Sequence, residues 1–130
     1  MVGLVVVAHA ALAQELLKAG EMIVGTIEAA AAVGISPSDK VEDIRDAITA
    51  AIARVDDEGV VIMTDMFGGT PSNMSLSFLQ ENRIEVLTGV NLPMIIKFAS
   101  ERGRCGVGEL AARLKECARE SISVAGDYLK

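Results

Sequence analysis

The chain has 130 residues, 51% of them hydrophobic and 23% charged, with a net charge of −6, and its mean hydropathy is +0.40. This length suits one domain, residues 1–130, with a genuine core, and the hydrophobic content excludes a disordered chain. The acidic balance argues against nucleic acid or an anionic membrane as partner, and no apolar run approaches the ~18 residues that span a bilayer.

Taken in order, the chain opens on Gly3-Leu4-Val5-Val6-Val7-Ala8, an unbroken apolar run ending on His9, the only histidine. Such a run predicts a strand covered on both faces, as in a parallel sheet. Ala8-His9-Ala10 imitates a signal-cleavage site, but no Lys or Arg precedes it and the apolar segment is short, so a cytoplasmic protein without direct membrane insertion is expected. Leu12, Leu16, Ala19 and Ile23 recur at spacings of four, three and four, which predicts an amphipathic helix with that stripe inward and a stop at Gly25. Thr26 to Val33 reads as a second strand closed by Gly34, although its four consecutive alanines favour helix.

Ser36-Pro37-Ser38-Asp39 reads as a turn into a helix, with Asp39-x-x-Glu42 as a variant capping box. Val41, Ile44, Ile48, Ala51 and Val55 supply that helix's apolar face. Val60 to Thr64 is a third strand, ending on Asp65. In Met66-Phe67-Gly68-Gly69-Thr70-Pro71-Ser72-Asn73, the double glycine permits positive φ and close backbone approach. Thr70 is expected as N-cap and Pro71 as the first helical residue, with Leu76, Leu79 and Phe78 on the buried side. Ile84 to Thr88 is the fourth strand. Helices then follow from Asn91-Leu92-Pro93 and along the stripe Leu110, Ala111, Leu114, Cys117 and Ala118. Ile122, Val124 and Tyr128 alternate as a C-terminal edge strand would.

Arg102 and Arg104 read as a solvated loop. Cys105 and Cys117 lie twelve apart, without CxxC or companion histidines. That supports neither a zinc site nor a disulfide, and it makes Cys117 a small core residue in a reducing compartment. The fold class expected is α/β: an open, mainly parallel four-stranded sheet of order 2-1-3-4, flanked by helices on both faces.

That order brings two strand ends together at the topological switch point, one carrying His9 and the other Asp65. A carboxylate accepting the Nδ1 proton fixes the imidazole tautomer and leaves Nε2 free as a nucleophile. Gly68, Gly69 and the helix opening at Thr70 would offer backbone N–H groups to an anion. A nucleophilic imidazole beside a phosphate cradle suggests phosphohistidine chemistry, which is mostly positioning and electrostatics. Each part alone has a bland reading: a boundary histidine, a helix-capping aspartate, a glycine turn. Their convergence on one face argues for the functional one. One His and one Asp are too few ligands for a metal, and no cofactor is expected. Neither a nucleotide loop nor the acidic cluster of an aspartate-phosphorylated receiver is present.

On these residues the whole chain resembles the mannose-type EIIA component of the bacterial phosphoenolpyruvate-dependent sugar phosphotransferase system (PTS). The resemblance rests on the strand ending in His9, on Asp65 to Asn73, and on Gly89-Val90-Asn91-Leu92-Pro93-Met94. It implies a phosphotransferase component with His9 phosphorylated through Nε2 and Asp65 as its partner. Thr70 would bond the phosphate, and Phe67 with Met66, Ser36 and Pro37 would dock carrier proteins. Phosphate would come from HPr and pass to a mannose-type EIIB. A homodimer is implied, with the C-terminal strand exchanged between subunits. The alternatives are a phosphorylation-dependent regulatory interaction module and the similar phosphotransfer subunit of a dihydroxyacetone kinase. Ala8 and Ala10 flank His9 where the family often has Gly or Ser.

Overall fold

The computed structural model describes residues 1–129. Its elements are β1 (Gly3–His9), α1 (Leu12–Val24), β2 (Ala30–Ile35), α2 (Val41–Val55), β3 (Val60–Thr64), α3 (Thr70–Leu76), β4 (Ile84–Thr88), α4 (Leu92–Glu101) and α5 (Val107–Glu120). The four strands form one sheet of order β2-β1-β3-β4, with every neighbouring pair parallel. This is the topology expected from the sequence.

The unbroken valine run of β1 is explained by its two faces. Leu4, Val6 and Ala8 pack with Ala13, Ile95, Phe98, Leu110 and Leu114, in the layer formed by α1, α4 and α5. Val5 and Val7 pack with Val33, Ile44, Ile48, Val55 and Ile62 in the layer headed by α2. A strand sandwiched in this way has no solvent face on which polar residues could alternate. Each fully buried valine contributes roughly 1.5–3 kcal/mol, so β1 is a firm base for whatever its carboxyl end carries.

Several local expectations are corrected. β2 begins at Ala30 and runs through Gly34 to Ile35. The preceding residues are held elsewhere: Ile27 N–H donates to Glu21 at 2.9 Å, and Ala29 adopts a left-handed φ of 49°. Pairing along β1 overrides the helical preference of the alanines. On α1 the fully buried residues are Ala13 and Gly20; Leu16 of the expected stripe packs partly buried against the core, while Leu12 and Ile23 are exposed. A Cβ on Gly20 would meet Ile95 at 2.9 Å, so close approach to α4 selects small residues over the larger ones in the predicted stripe. In α3 the buried face is Pro71, Ser72 and Ser75. Leu76 and Leu79 are exposed, and Phe78 and Met74 pack partly against the α2 layer.

Asp39 does not cap α2. Its carboxylate accepts from Ser36 N–H at 2.8 Å, and the cap position falls to Lys40. Arg102 is buried rather than solvated. Its guanidinium donates to the carbonyls of Val2 (3.0 and 2.7 Å), Glu28 (2.6 Å) and Ala29 (3.3 Å). It also stacks 4.8 Å over the Phe98 ring. Cys117 is half-buried on a polar rim, whereas Cys105 is the cysteine that packs against the core. The C-terminal segment forms no strand within the described residues. It ends in an exposed 3-10 turn, Ala125–Leu129, because a lone alternating segment needs a sheet edge to pair with.

Candidate functional site

The site grows from adjacent strand ends. Val7 of β1 is level with Thr64 of β3, so both strands deliver their next residues, His9 and Asp65, to the same carboxyl edge. The end of β3 is fixed from its other side, since the Thr64 carbonyl accepts from Gly89 and Val90 N–H, each at 2.9 Å. The segment Gly89 to Met94 therefore has a structural task. Asn91 Oδ1 caps α4 by accepting from Met94 N–H at 3.0 Å, and its Nδ2 donates to the Ala118 carbonyl at 3.1 Å.

Asp65 grips His9 twice through one oxygen. Oδ2 lies 2.7 Å from His9 Nδ1 and 3.0 Å from the His9 main-chain nitrogen, while Oδ1 accepts from Met66 N–H at 3.0 Å. Burial alone would raise the Asp65 pKa. The backbone and side-chain hydrogen bonds from His9, with the Met66 N–H, outweigh it and hold the carboxyl below its ordinary value. An ionised carboxylate only accepts, so the Nδ1 facing it carries the proton, and in a neutral ring that leaves the lone pair on Nε2. The Asp65 side chain is 12% exposed and the His9 side chain 50%. The carboxylate is largely covered and the imidazole is half open.

The open edge faces the glycine loop. A Cβ on Gly69 would sit 3.1 Å from His9 Cε1 and 3.7 Å from Nε2, so absence of a side chain here leaves room beside the ring. Gly68 supplies the turn, with φ of 87°, and its carbonyl accepts from Asn73 Nδ2 at 3.4 Å. Gly69, rather than Thr70, occupies the N-cap position, and α3 begins at Thr70 without a side-chain cap. The first-turn N–H groups of a helix lack a carbonyl four residues back and are available to an acceptor.

A cavity of about 400 Å³ lies beside the ring, lined by His9, Thr70, Ser36, Pro37, Asp39 and Val41 among others. Met66 and Phe67 are exposed, Phe67 at 74%. From sequence Asp39 and Val41 belong to a capping box and a helix face rather than to the site. The signal was available in the strand order, because β2 lies beside β1 and its outgoing loop must emerge next to His9. Among the described residues no cluster of His, Cys, Asp and Glu could hold a metal ion, and no helix is long and apolar enough to cross a membrane.

Residues 3–115 match the family model described as "PTS system fructose IIA component". The chain is 26% identical to the PTS fructose-specific EIIA component of Bacillus subtilis (strain 168), over all of this chain and 90% of that protein. It is 29% identical to the sorbose-specific EIIA component of Lacticaseibacillus casei, over 90% of this chain and 86% of that one. The solved EIIA structure from Streptococcus agalactiae superposes with a TM-score of 0.89 at 25% identity, covering 98% of this chain and 99% of that one. The chain belongs to the mannose-type EIIA family and is a phosphotransferase component of the PTS.

Proposed function

We propose that the protein is a cytoplasmic phosphoryl carrier in which His9 takes phosphate from phospho-HPr and passes it to a mannose-type EIIB. The observation that carries this reading is the 2.7 Å contact between His9 Nδ1 and Asp65 Oδ2 on a ring whose other edge is open. In the uptake step the Nε2 lone pair attacks phosphorus, the donor's N–P bond breaks, and that electron pair returns to the donor imidazole. The Nδ1 proton stays on the ring, and the positive charge that phosphorylation places on the imidazole faces the Asp65 carboxylate. Onward transfer is the same displacement with the acceptor's imidazole as nucleophile.

The phosphate oxygens would be met by the N–H groups of Gly68, Gly69 and Thr70 and by the Thr70 hydroxyl. The exposed Met66 and Phe67 would seat carrier proteins, with Ser36 and Pro37 forming the far lip of the cavity. A homodimer belongs to the same reading. β4 ends the sheet with β3 as its strand neighbour, and Ile122, Val124 and Tyr128 alternate in exposed positions suited to pairing with such an edge.

The test is incubation with phosphoenolpyruvate, enzyme I and HPr, followed by addition of EIIB. The expected product is an acid-labile, base-stable adduct on His9 that is lost on addition of EIIB. His9→Ala should abolish it. Undiminished labelling of that variant would end the proposal.

A further inference from the structure

We infer that Gly34 is a positioning residue for His9, acting through the backbone of Ala10. The inference rests on the phosphoryl-carrier reading for its consequence, but its geometry is independent of that reading. Gly34 lies on β2 level with Ala8, and Ile35 lies level with His9. A glycine inside a strand weakens the strand, and it commonly marks a point where another backbone comes close. The close backbone here is that of Ala10. A Cβ on Gly34 would sit 2.4 Å from the Ala10 carbonyl oxygen, a full 1.0 Å inside the 3.4 Å at which ordinary contact begins. It would also crowd the Gln14 amide at 3.3 and 3.4 Å. The long side chain can move, but the carbonyl cannot move without its residue.

Ala10 is the residue through which β1 turns into α1, and it does so in the left-handed region, at φ 52°. That conformation is uncommon for a residue with a Cβ, so something must hold it. Two contacts with β2 do so: Ala10 N–H donates to the Ile35 carbonyl at 2.9 Å, and the Ala10 carbonyl lies over Gly34. His9 is thus suspended between two anchors. On one side its own N–H and Nδ1 are fastened to Asp65 Oδ2. On the other the next peptide is docked against β2. A side chain at 34 would push the second anchor away and rotate the imidazole relative to Asp65. Displacements of about 1 Å in a reacting group cost on the order of 100-fold in rate.

The test uses full-length protein carrying Gly34→Ala or Ala10→Val, with Gly103→Ala as control, since a Cβ at 103 meets nothing within 4 Å. Ala10→Val attacks the same joint without adding bulk at 34, because β-branched residues resist positive φ and the Ala10 side chain is exposed. It decides the matter should Gly34→Ala fail to fold. The primary readout is the ¹⁵N spectrum of the single imidazole in unphosphorylated protein, which reports whether Nδ1 or Nε2 carries the proton. The second is the initial rate of phosphoryl uptake from phospho-HPr. The expected result is an Nδ1–H tautomer in the parent and in Gly103→Ala. In the two joint variants a mixture with Nε2–H should appear, with uptake slowed about 10- to 100-fold. Parent-like tautomer spectra in the folded joint variants would overturn the inference, whatever the rates. If the parent itself takes up no phosphate, the carrier reading falls while the tautomer measurement still judges Gly34.

Discussion

One oxygen of Asp65 holds both the main chain and the ring of His9, at 3.0 and 2.7 Å. The double contact means that the carboxylate fixes where the residue is as well as which ring nitrogen is protonated. Asp65→Asn preserves shape but replaces an acceptor-only group with one that also donates. If the amide NH₂ turns toward the ring, Nδ1 becomes the acceptor and the proton moves to Nε2, which is then no longer a nucleophile. Phosphoryl uptake by Asp65→Asn is expected to fall about 100-fold or more. Asp65→Ala, which frees the ring without imposing the wrong tautomer, should be less impaired at saturating donor. Initial rates from phospho-HPr measure both.

The same carboxylate makes part of the fold's stability depend on pH. Its hydrogen bonds with His9 and Met66 outweigh the cost of burial and hold its pKa below the ordinary value. Between the folded and unfolded values the unfolded chain therefore binds the extra proton. The contribution is fully present above the unfolded pKa of about 3.9 and is lost as pH falls through the folded value. Asp65→Asn should consequently melt below the parent at pH 7, with the gap closing below about pH 4. Thermal melts of the two proteins from pH 7 to 2.5 test this. Asp57 and Glu101, whose pKa values are also lowered, are common to both proteins and cancel in the difference. A constant gap across the range would refute the linkage.

Gly69 separates room beside the ring from backbone freedom. Its φ of −83° is ordinary for any residue, so Gly69→Ala introduces no backbone strain. Its new methyl would press on His9 Cε1 at 3.1 Å, beside the nitrogen expected to carry phosphate. The variant should keep its melting temperature within a few degrees of the parent and lose roughly tenfold in uptake rate. Gly68→Ala, at φ 87°, should instead cost stability as well. A Gly69→Ala protein with parent-like rates would remove this glycine from the cradle.

Much of this arrangement was legible in the sequence because it depends on strand ends. An unbroken apolar run can be buried only between two layers, and the residue after such a run must surface at the sheet's edge. That reasoning located His9 and Asp65 without any distance information. Side-chain size was a poorer guide wherever packing was tight. Leu12 and Ile23 looked like the inward face of α1, yet close approach to α4 puts Ala13 and Gly20 deepest, with Leu16 of the expected stripe only partly buried against the core. Arg102 misled for a different reason. A charged residue beside a glycine reads as solvated, and nothing local announces that three distant carbonyls need a donor. Gly34 read as the end of a strand because the backbone it accommodates belongs to a residue 24 positions earlier.

Those carbonyls make Arg102 the most consequential buried charge in the described structure. Val2 precedes β1, while Glu28 and Ala29 precede β2, and a single guanidinium ties the two chain segments together from the end of α4. Burying a cation is costly unless its donors are satisfied, and here they are met by the carbonyls of Val2, Glu28 and Ala29, the last of which also accepts from Leu4 N–H at 3.0 Å. Arg102→Ala takes the guanidinium from the Val2 and Glu28 carbonyls and strips the cover from Phe98, and should destabilise the fold by about 2–4 kcal/mol in urea unfolding. Arg102→Lys should recover little of this, because an ammonium cannot reproduce the planar fork that spans Val2, Glu28 and Ala29. The segments joined lie at the amino ends of the strands, opposite His9. Both variants should therefore keep parent-like phosphoryl uptake at temperatures where they remain folded. Full rescue by lysine would show that the charge matters rather than the fork.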